Sequence, residues 1–396
     1  MNTRIAFFHE QFPMGGAERV TYDLIHFLSK NGYNIYLFVR ELNKEKITDI
    51  NFFNNSVSTL ILPDSNKTDT NNNTQYINEK IKEFDINVLI IQVYLKLNIQ
   101  EIRKYNPLTK IIYCNHGVPF WEIENKIELK KRESKTSLKA RILYYLINKY
   151  RIEIFHVYHK RFRKKYMKLY NEVDAYVTLC EGYSNQISQT LKLKDTSKLF
   201  AINNFENPVH DVIMDKQKVV LFVGRLTYAD KRADRILNIW NLLGEKTNGW
   251  KLIIVGDGPE KENLERQAIN LGFKNVEFTG FCLKPKKYYD IASILCMTST
   301  FEGWGLVLTE AQANGVIPMA FGCSAGVKDI LNPSGENGYI ITPFDLKEYA
   351  NKILSIMNNE EERKRLQKNV LKKSKLYSPE VVGKKWIDLI EYVLSN

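Results

Sequence analysis

The stretch Ile294-Leu-Cys-Met-Thr-Ser-Thr-Phe-Glu-Gly-Trp-Gly-Leu-Val-Leu-Thr-Glu-Ala-Gln-Ala-Asn-Gly-Val-Ile-Pro-Met-Ala320 reads as one complete βαβ unit. Residues 294–298 form a short apolar run suited to a strand, 306–314 carry a helical pattern, and 316–320 form a second apolar run. A helix between two strands supplies the crossover that parallel pairing needs, and strands apolar on both faces belong inside a sheet covered by helices. This unit therefore predicts an α/β domain with a parallel sheet.

Working outward, the same alternation continues in both directions. Strands are expected at 219–223, 251–255 and 276–279, and helices at 233–243, 261–271 and 346–357. Toward the start, apolar runs at 4–8, 34–39, 57–62, 87–92, 110–114, 175–179 and 199–203 repeat the pattern. Residues 64–74, full of Asn, Thr and Asp, read as a polar loop. The alternation breaks at Asn207-Pro-Val-His-Asp211, and a polar stretch runs on to Lys218.

A chain of 396 residues exceeds the roughly 250 at which single cores stop growing, so two domains are expected. They are 1–207 and 208–376, followed by a terminal helix over 377–396 that packs back on the first domain. The composition, 44% hydrophobic and 26% charged, is that of a folded soluble protein. No apolar stretch approaches the roughly 18 residues that span a bilayer, and Arg4-Ile-Ala-Phe-Phe8 meets a His and a Glu at once, unlike a signal peptide. A cytoplasmic location is expected. Cys114, Cys180, Cys282, Cys296 and Cys323 form no Cys-x-x-Cys pair and are expected to be reduced packing residues rather than zinc ligands.

The net charge of +12 is concentrated. Residues 126–168 hold ten Lys and five Arg against three Glu, an excess as large as that of the whole chain. Ile142-Leu-Tyr-Tyr-Leu146 and Phe155-His-Val-Tyr158 interleave apolar side chains with these cations. The pattern suits a helix lying on anionic headgroups, with Lys130, Lys131, Arg132, Arg161, Arg163, Lys164 and Lys165 as the contacting cations. A solvated basic helix with ordinary core contacts is the alternative. Nucleic acid is not expected, because no reading motif accompanies the charge.

The chemistry is concentrated in Thr300-Phe-Glu-Gly-Trp-Gly-Leu-Val-Leu-Thr-Glu310, where two glutamates flank two glycines that open a helix. Glycines let backbone approach a ligand, and first-turn N–H groups favour phosphate oxygens. Glu302 can accept from sugar hydroxyls and Glu310 from a ribose. Gly15 and Gly16 sit in a strand-to-helix turn. Arg225 and Lys231 follow a strand and can together neutralise a departing diphosphate. His116 stands at the end of another strand, where ligands bind in such sheets. No Asp-x-Asp occurs, so no metal is expected on a diphosphate.

With these landmarks in register, the chain resembles the retaining glycosyltransferase family 4. They are Pro13-Met-Gly-Gly-Ala-Glu-Arg19, Tyr113-Cys-Asn-His116-Gly, Asn203-Asn204, Phe222-Val-Gly-Arg225-Leu, Val255-Gly-Asp-Gly-Pro259, Thr279-Gly280-Phe281, the glutamate pair, and Gly338-Tyr-Ile. The resemblance implies a GT-B fold, two Rossmann-like doubly wound domains facing a central cleft, and transfer from a nucleotide sugar; the basic segment and the cytoplasmic location together suggest a glycan or polyprenyl-linked acceptor at the inner membrane face. The resemblance implies donor contacts from Gly15, Gly16, Arg225, Lys231, Phe281, Glu302, Gly305, Leu306, Val307 and Glu310, with His116 near the transferred sugar. Lys231-Arg232-Ala233 departs from the family wording, where Gly commonly follows the Lys, so either cation could face the donor. Gly256 and Gly258 are read as turn residues. Two rivals are a non-catalytic nucleotide-sugar or polyanion binder with the same fold, and an oxidoreductase, which lacks a full Gly-x-Gly-x-x-Gly with a ribose acid.

Overall fold

The computed structural model describes residues 3–12, 15–43, 57–92, 97–135, 137–153 and 156–396. It divides into two compact units, 1–202 with 387–396 and 203–386, the division falling a few residues before Asn207. The helix Pro379–Ser395 begins in the second unit, and its last residues group with the first, where Tyr392 meets Phe200 with ring centroids 5.4 Å apart.

Among the described residues, unit 1 is built on a seven-stranded, all-parallel sheet in the order β3-β2-β1-β4-β5-β6-β7. Its strands are β1 (Arg4–Phe12), β2 (Asn34–Leu42), β3 (Val57–Ile61), β4 (Val88–Ile91), β5 (Lys110–Asn115), β6 (Ala175–Thr178) and β7 (Leu199–Ala201). Unit 2 has six parallel strands in the order β10-β9-β8-β11-β12-β13. These are β8 (Val219–Val223), β9 (Lys251–Val255), β10 (Val276–Gly280), β11 (Ile294–Met297), β12 (Ile317–Phe321) and β13 (Tyr339–Ile341). Both sheets are doubly wound, as expected. In each the order reverses beside the first strand, between β1 and β4 and between β8 and β11, and ligands of such sheets bind outside the strand ends at that point.

Local sequence explains the elements. The helix Ala233–Leu243 places Ala233, Ile236, Leu237, Trp240 and Leu243 on one face, all buried in the core of unit 2. Trp240 keeps its ring in that core while its Nε1 donates to Asn275 Oδ1 at 3.1 Å. The same core takes in Val220, Leu252, Ile254 and Ile294 of the central strands, so these positions are apolar. The core of unit 1 is assembled the same way, from Phe8, Leu89, Ile111 and Tyr176 on the sheet and Ile77, Tyr166 and Ile187 on the helices.

Two features depart from the sequence reading. The expected loop over 64–74 ends at Thr70, whose hydroxyl accepts from Asn73 N at 3.1 Å and caps the helix Asn71–Glu83. Asn73 is buried and donates to the carbonyls of Asp64 and Lys67 at 3.1 and 2.9 Å. Thr and Asn compete with the backbone for hydrogen bonds, so the residues that signal a loop also start helices. β13 and the helices Ala325–Leu331 and Glu360–Ser374 are the second departure. Glu360–Ser374 buries only Leu366, Gln367 and Val370, too few apolar positions to stand out as a helical stripe.

The turn after β9 fixes how closely the strand ends approach. Gly256 has φ +152°, and a β-carbon there would lie 1.9 Å from the Gly224 carbonyl oxygen. Gly256→Ala is therefore expected to destabilise unit 2 by more than about 3 kcal/mol, the range of severe backbone clashes. A thermal unfolding transition shifted by less than a few degrees would contradict this.

Candidate functional site

Unit 2 brings most of the sequence-predicted side chains to its switch point. After β8 the chain turns through Gly224 and Arg225, with Gly224 N bonded to Val255 O at 3.0 Å and Leu226 N to Asp257 O at 2.8 Å. After β11 it passes Thr298 and Ser299 to Glu302. The two segments are tied together: Thr300 N donates to Asp230 O at 2.7 Å, and Thr298 Oγ1 donates to Arg232 O at 2.9 Å. Buried Arg235 secures the same place, its guanidinium donating to Thr298 O at 3.0 Å and lying 4.3 Å from the Phe344 ring centroid.

On this frame Lys231 Nζ donates to Glu302 Oε2 in a largely covered ion pair, side chains 25% and 17% exposed. Arg225 is open, 70% exposed, with Asp230 Oδ2 at 3.9 Å. Arg232 has φ +51° and spends its guanidinium on both carboxylate oxygens of Asp234 at 2.8 Å. Of the two adjacent cations, Lys231 is thus the one held against Glu302.

Gly305, at φ +90°, precedes the helix Leu306–Ala313, and its hydrogen-only side lies against Leu308 and Met297, where a β-carbon would come within 3.2 and 3.3 Å. Gly326 allows a second close approach, since a β-carbon there would stand 2.3 Å from the Gly303 carbonyl oxygen. The amides of Leu306 and Val307 lie in the first turn, where helix N–H groups have no intrahelical acceptor. One helical turn on, Glu310 accepts from the hydroxyl of buried Tyr289 at 2.6 Å. Thr309, on the inner face, donates to buried Glu206 at 2.9 Å. Phe281 follows Gly280 and is 73% exposed.

In unit 1 the ends of β1, β4 and β5 carry a second polar cluster. His116 follows β5 and its Nε2 is hydrogen-bonded to Gln92 Oε1 at the end of β4. His9, fully buried in β1, meets Thr21 Oγ1 through its Nε2 at 2.7 Å. Burial first, and the charge of His116 second, lower the His9 pKa from 6.5 to about 3. Gly15 caps the helix Gly16–Lys30 in an extended conformation, and its N–H donates to Glu18 Oε2 at 2.8 Å. Pro13 and Met14 of that turn lie outside the described residues, as does Phe155. Sequence reading missed His9 and Gln92; the available signal was a polar residue ending each apolar strand run at the switch point.

The basic segment resolves into two kinds of helix. Val157–Glu172 buries Phe162, Tyr166, Leu169 and Tyr170 and leaves Arg161, Arg163 and Lys164 outside. Lys165 is partly buried, which lowers its pKa, and Lys130 pairs with Glu133 at 2.6 Å. Lys131 is exposed, and the Arg132 side chain lies outside the described residues. Among the described residues the five cysteines are free thiols, and no three His, Cys, Asp or Glu side chains form a metal-binding group.

Residues 204–373 match the family model for glycosyl transferases group 1, which thus covers most of unit 2. The chain is 30% identical over 234 residues to the amylovoran biosynthesis glycosyltransferase AmsD of Erwinia amylovora, covering 58% of this chain and 65% of AmsD. It is 27% identical over 350 residues to an uncharacterized glycosyltransferase of Haemophilus influenzae, 88% of each chain. The solved structure of Anabaena HepE with UDP and glucose superposes with a TM-score of 0.70 over 99% of this chain and all of that one, at 14% identity. Together they show a fold shared with HepE and, over residues 204–373, likeness to glycosyl transferases group 1.

His9 makes unit 1 sensitive to acid. Below pH 6.5 the unfolded chain takes up a proton that the folded protein refuses until about pH 3, so stability falls as pH drops through that window. The slope from this group is about 1.4 kcal/mol per pH unit. Urea unfolding of the parent and of His9→Gln between pH about 6 and about 4 is expected to show a shallower decline in the variant; parallel curves would count against a neutral buried His9.

Proposed function

We propose that this chain is a retaining, metal-independent hexosyltransferase. It moves a hexose or N-acetylhexosamine from a nucleotide sugar, UDP before GDP, to a glycan or polyprenyl-linked acceptor in cell-surface polysaccharide synthesis. It works in the cytoplasm on the inner face of the membrane. The observation that supports this reading best is the switch point of unit 2, which gathers an open Arg225, the Lys231–Glu302 pair and the start of the helix Leu306–Ala313. That HepE holds UDP and glucose in its crystal supports the choice of nucleotide.

In this reading Arg225, Lys231 and the amides around Gly305, Leu306 and Val307 take up charge as the diphosphate leaves. Glu302, held by Lys231, presents its carboxylate to hydroxyls of the transferred sugar. Glu310, steadied by Tyr289, accepts from the ribose, and Phe281 lies beside the base. His116 keeps the role the resemblance gives it, a hydrogen bond to a sugar hydroxyl. The departing phosphate oxygen takes the acceptor proton on the front face, which preserves the anomeric configuration. A non-catalytic binder of the same fold is not favoured, since the matched proteins are named as glycosyltransferases.

A scan of nucleotide sugars for protection against thermal unfolding tests the donor class; a ligand at about 100 times its Kd adds about 2.7 kcal/mol of stability. Glu310→Ala is expected to weaken the donor so found by about 1.5 to 3 kcal/mol with the fold intact. Unchanged affinity for UDP and GDP sugars would remove the ribose assignment.

The double variant Arg225→Ala, Lys231→Ala is expected to lose about a hundredfold or more in turnover, and added divalent metal is expected to restore none of it. Parent activity abolished by a chelator would instead place a metal on the leaving group.

A further inference from the structure

The sequence read the segment 126–168 as one basic surface, but the structure gives its middle a different character. Residues 138–153 form one helical run: Leu138–Leu143, a π-turn over Tyr144–Asn148, and Lys149–Glu153. Its inward stripe is narrow, with Tyr144 and Ile152 buried and Asn148 half-buried between them. Everything large and apolar on the rest of its surface faces water. Leu138, Ile142, Tyr145 and Leu146 lie along one edge and Leu143, Ile147 and Tyr150 along the next, each at least 47% exposed. So dense a cluster marks an interaction site rather than the scattered exposure normal for a surface.

The charge around the cluster decides its partner. No acidic residue stands between Leu138 and Tyr150, whereas Lys139, Arg141 and Lys149 are exposed there, within a segment that carries the protein's whole positive excess. A second copy docking on this face would bring like charge against like. An anionic bilayer satisfies both features at once, the acyl boundary taking the aliphatic side chains and the headgroups the cations. Tyr145 and Tyr150 suit the interface between them. At sixteen residues with cations throughout, the run lies in the interface rather than spanning it.

We propose that the helical run 138–153 inserts its exposed apolar face into an anionic membrane leaflet, so that attachment is hydrophobic and not only electrostatic. This rests on the membrane-surface reading above and names the element responsible. It assigns the cations of Val157–Glu172 a steering role outside the bilayer.

The test is flotation of the full chain with phosphatidylcholine vesicles containing phosphatidylglycerol, at low salt and at about 0.5 M, where surface charge is screened within about 4 to 5 Å. Parent protein is expected to float in both. Ile142→Ser, Leu146→Ser is expected to bind at least tenfold more weakly at high salt, with unchanged circular dichroism and unchanged protection by nucleotide sugar in solution. Parent protein that floats in neither salt overturns both this proposal and the membrane reading. Parent protein that floats while the variant floats equally overturns the insertion alone, and so does a parent dimer that the variant makes monomeric without changing vesicle binding. Should the variant fail to fold, amide hydrogen exchange of the parent decides: vesicles are expected to slow exchange across 138–153, and no change there overturns the proposal.

Discussion

A β-carbon on Gly256 would stand 1.9 Å from the Gly224 carbonyl oxygen, and one on Gly258 would stand 2.5 Å from that of Leu226. These two approaches draw the end of β9 against the end of β8, and the hydrogen bonds Gly224 N to Val255 O and Leu226 N to Asp257 O hold it there. The loop from Gly224 to Arg232 then has little freedom. It is tied on its other side to the strand end of β11 through Asp230 and Arg232, and the Lys231–Glu302 ion pair then fixes those two side chains against each other. Under the proposed function, charges already in position do not have to reorganise as a leaving group departs.

The same economy appears in how polar groups are buried. Arg235, Glu206 and Tyr289 lie behind the site, each bonded to a residue of the segment 298–310: Thr298, Thr309 and Glu310. A buried polar group left unpaired costs about 1 to 3 kcal/mol, so each of these contacts resists displacement. In unit 1 a neutral His9 performs a comparable service for Thr21, at the expense of stability in acid. The two switch points thus differ in exposure, Arg225 standing open in unit 2 and His9 fully buried in unit 1.

The parallel sheets and most strands of both units were legible because strands covered on both faces must be apolar throughout, and the helices between them carry apolar residues at the spacing of one face. The expected strands 219–223 and 251–255 coincide with β8 and β9, and the helices 233–243 and 346–357 with observed ones. Where local chemistry serves two purposes, sequence could not choose. Thr70 and Asn73 are good loop residues and good helix starters, and only the partners at Asp64 and Lys67 make them the latter.

The sequence by itself determined which glycines, carboxylates and cations follow the apolar strand runs and their order along the chain, because residues of these types interrupt an apolar run wherever they stand. Tertiary structure alone decided which of them meet. Lys231 and Glu302 are 71 positions apart and form a pair only because β8 and β11 are neighbours in the sheet. It also decided which apolar residues of a basic segment are core and which are surface. Phe162 and Tyr166 are covered by the sheet and helices of unit 1, while Ile142 and Leu146 are not. Hydrophobicity is a property of the residue, but exposure depends on what the rest of the chain packs against it.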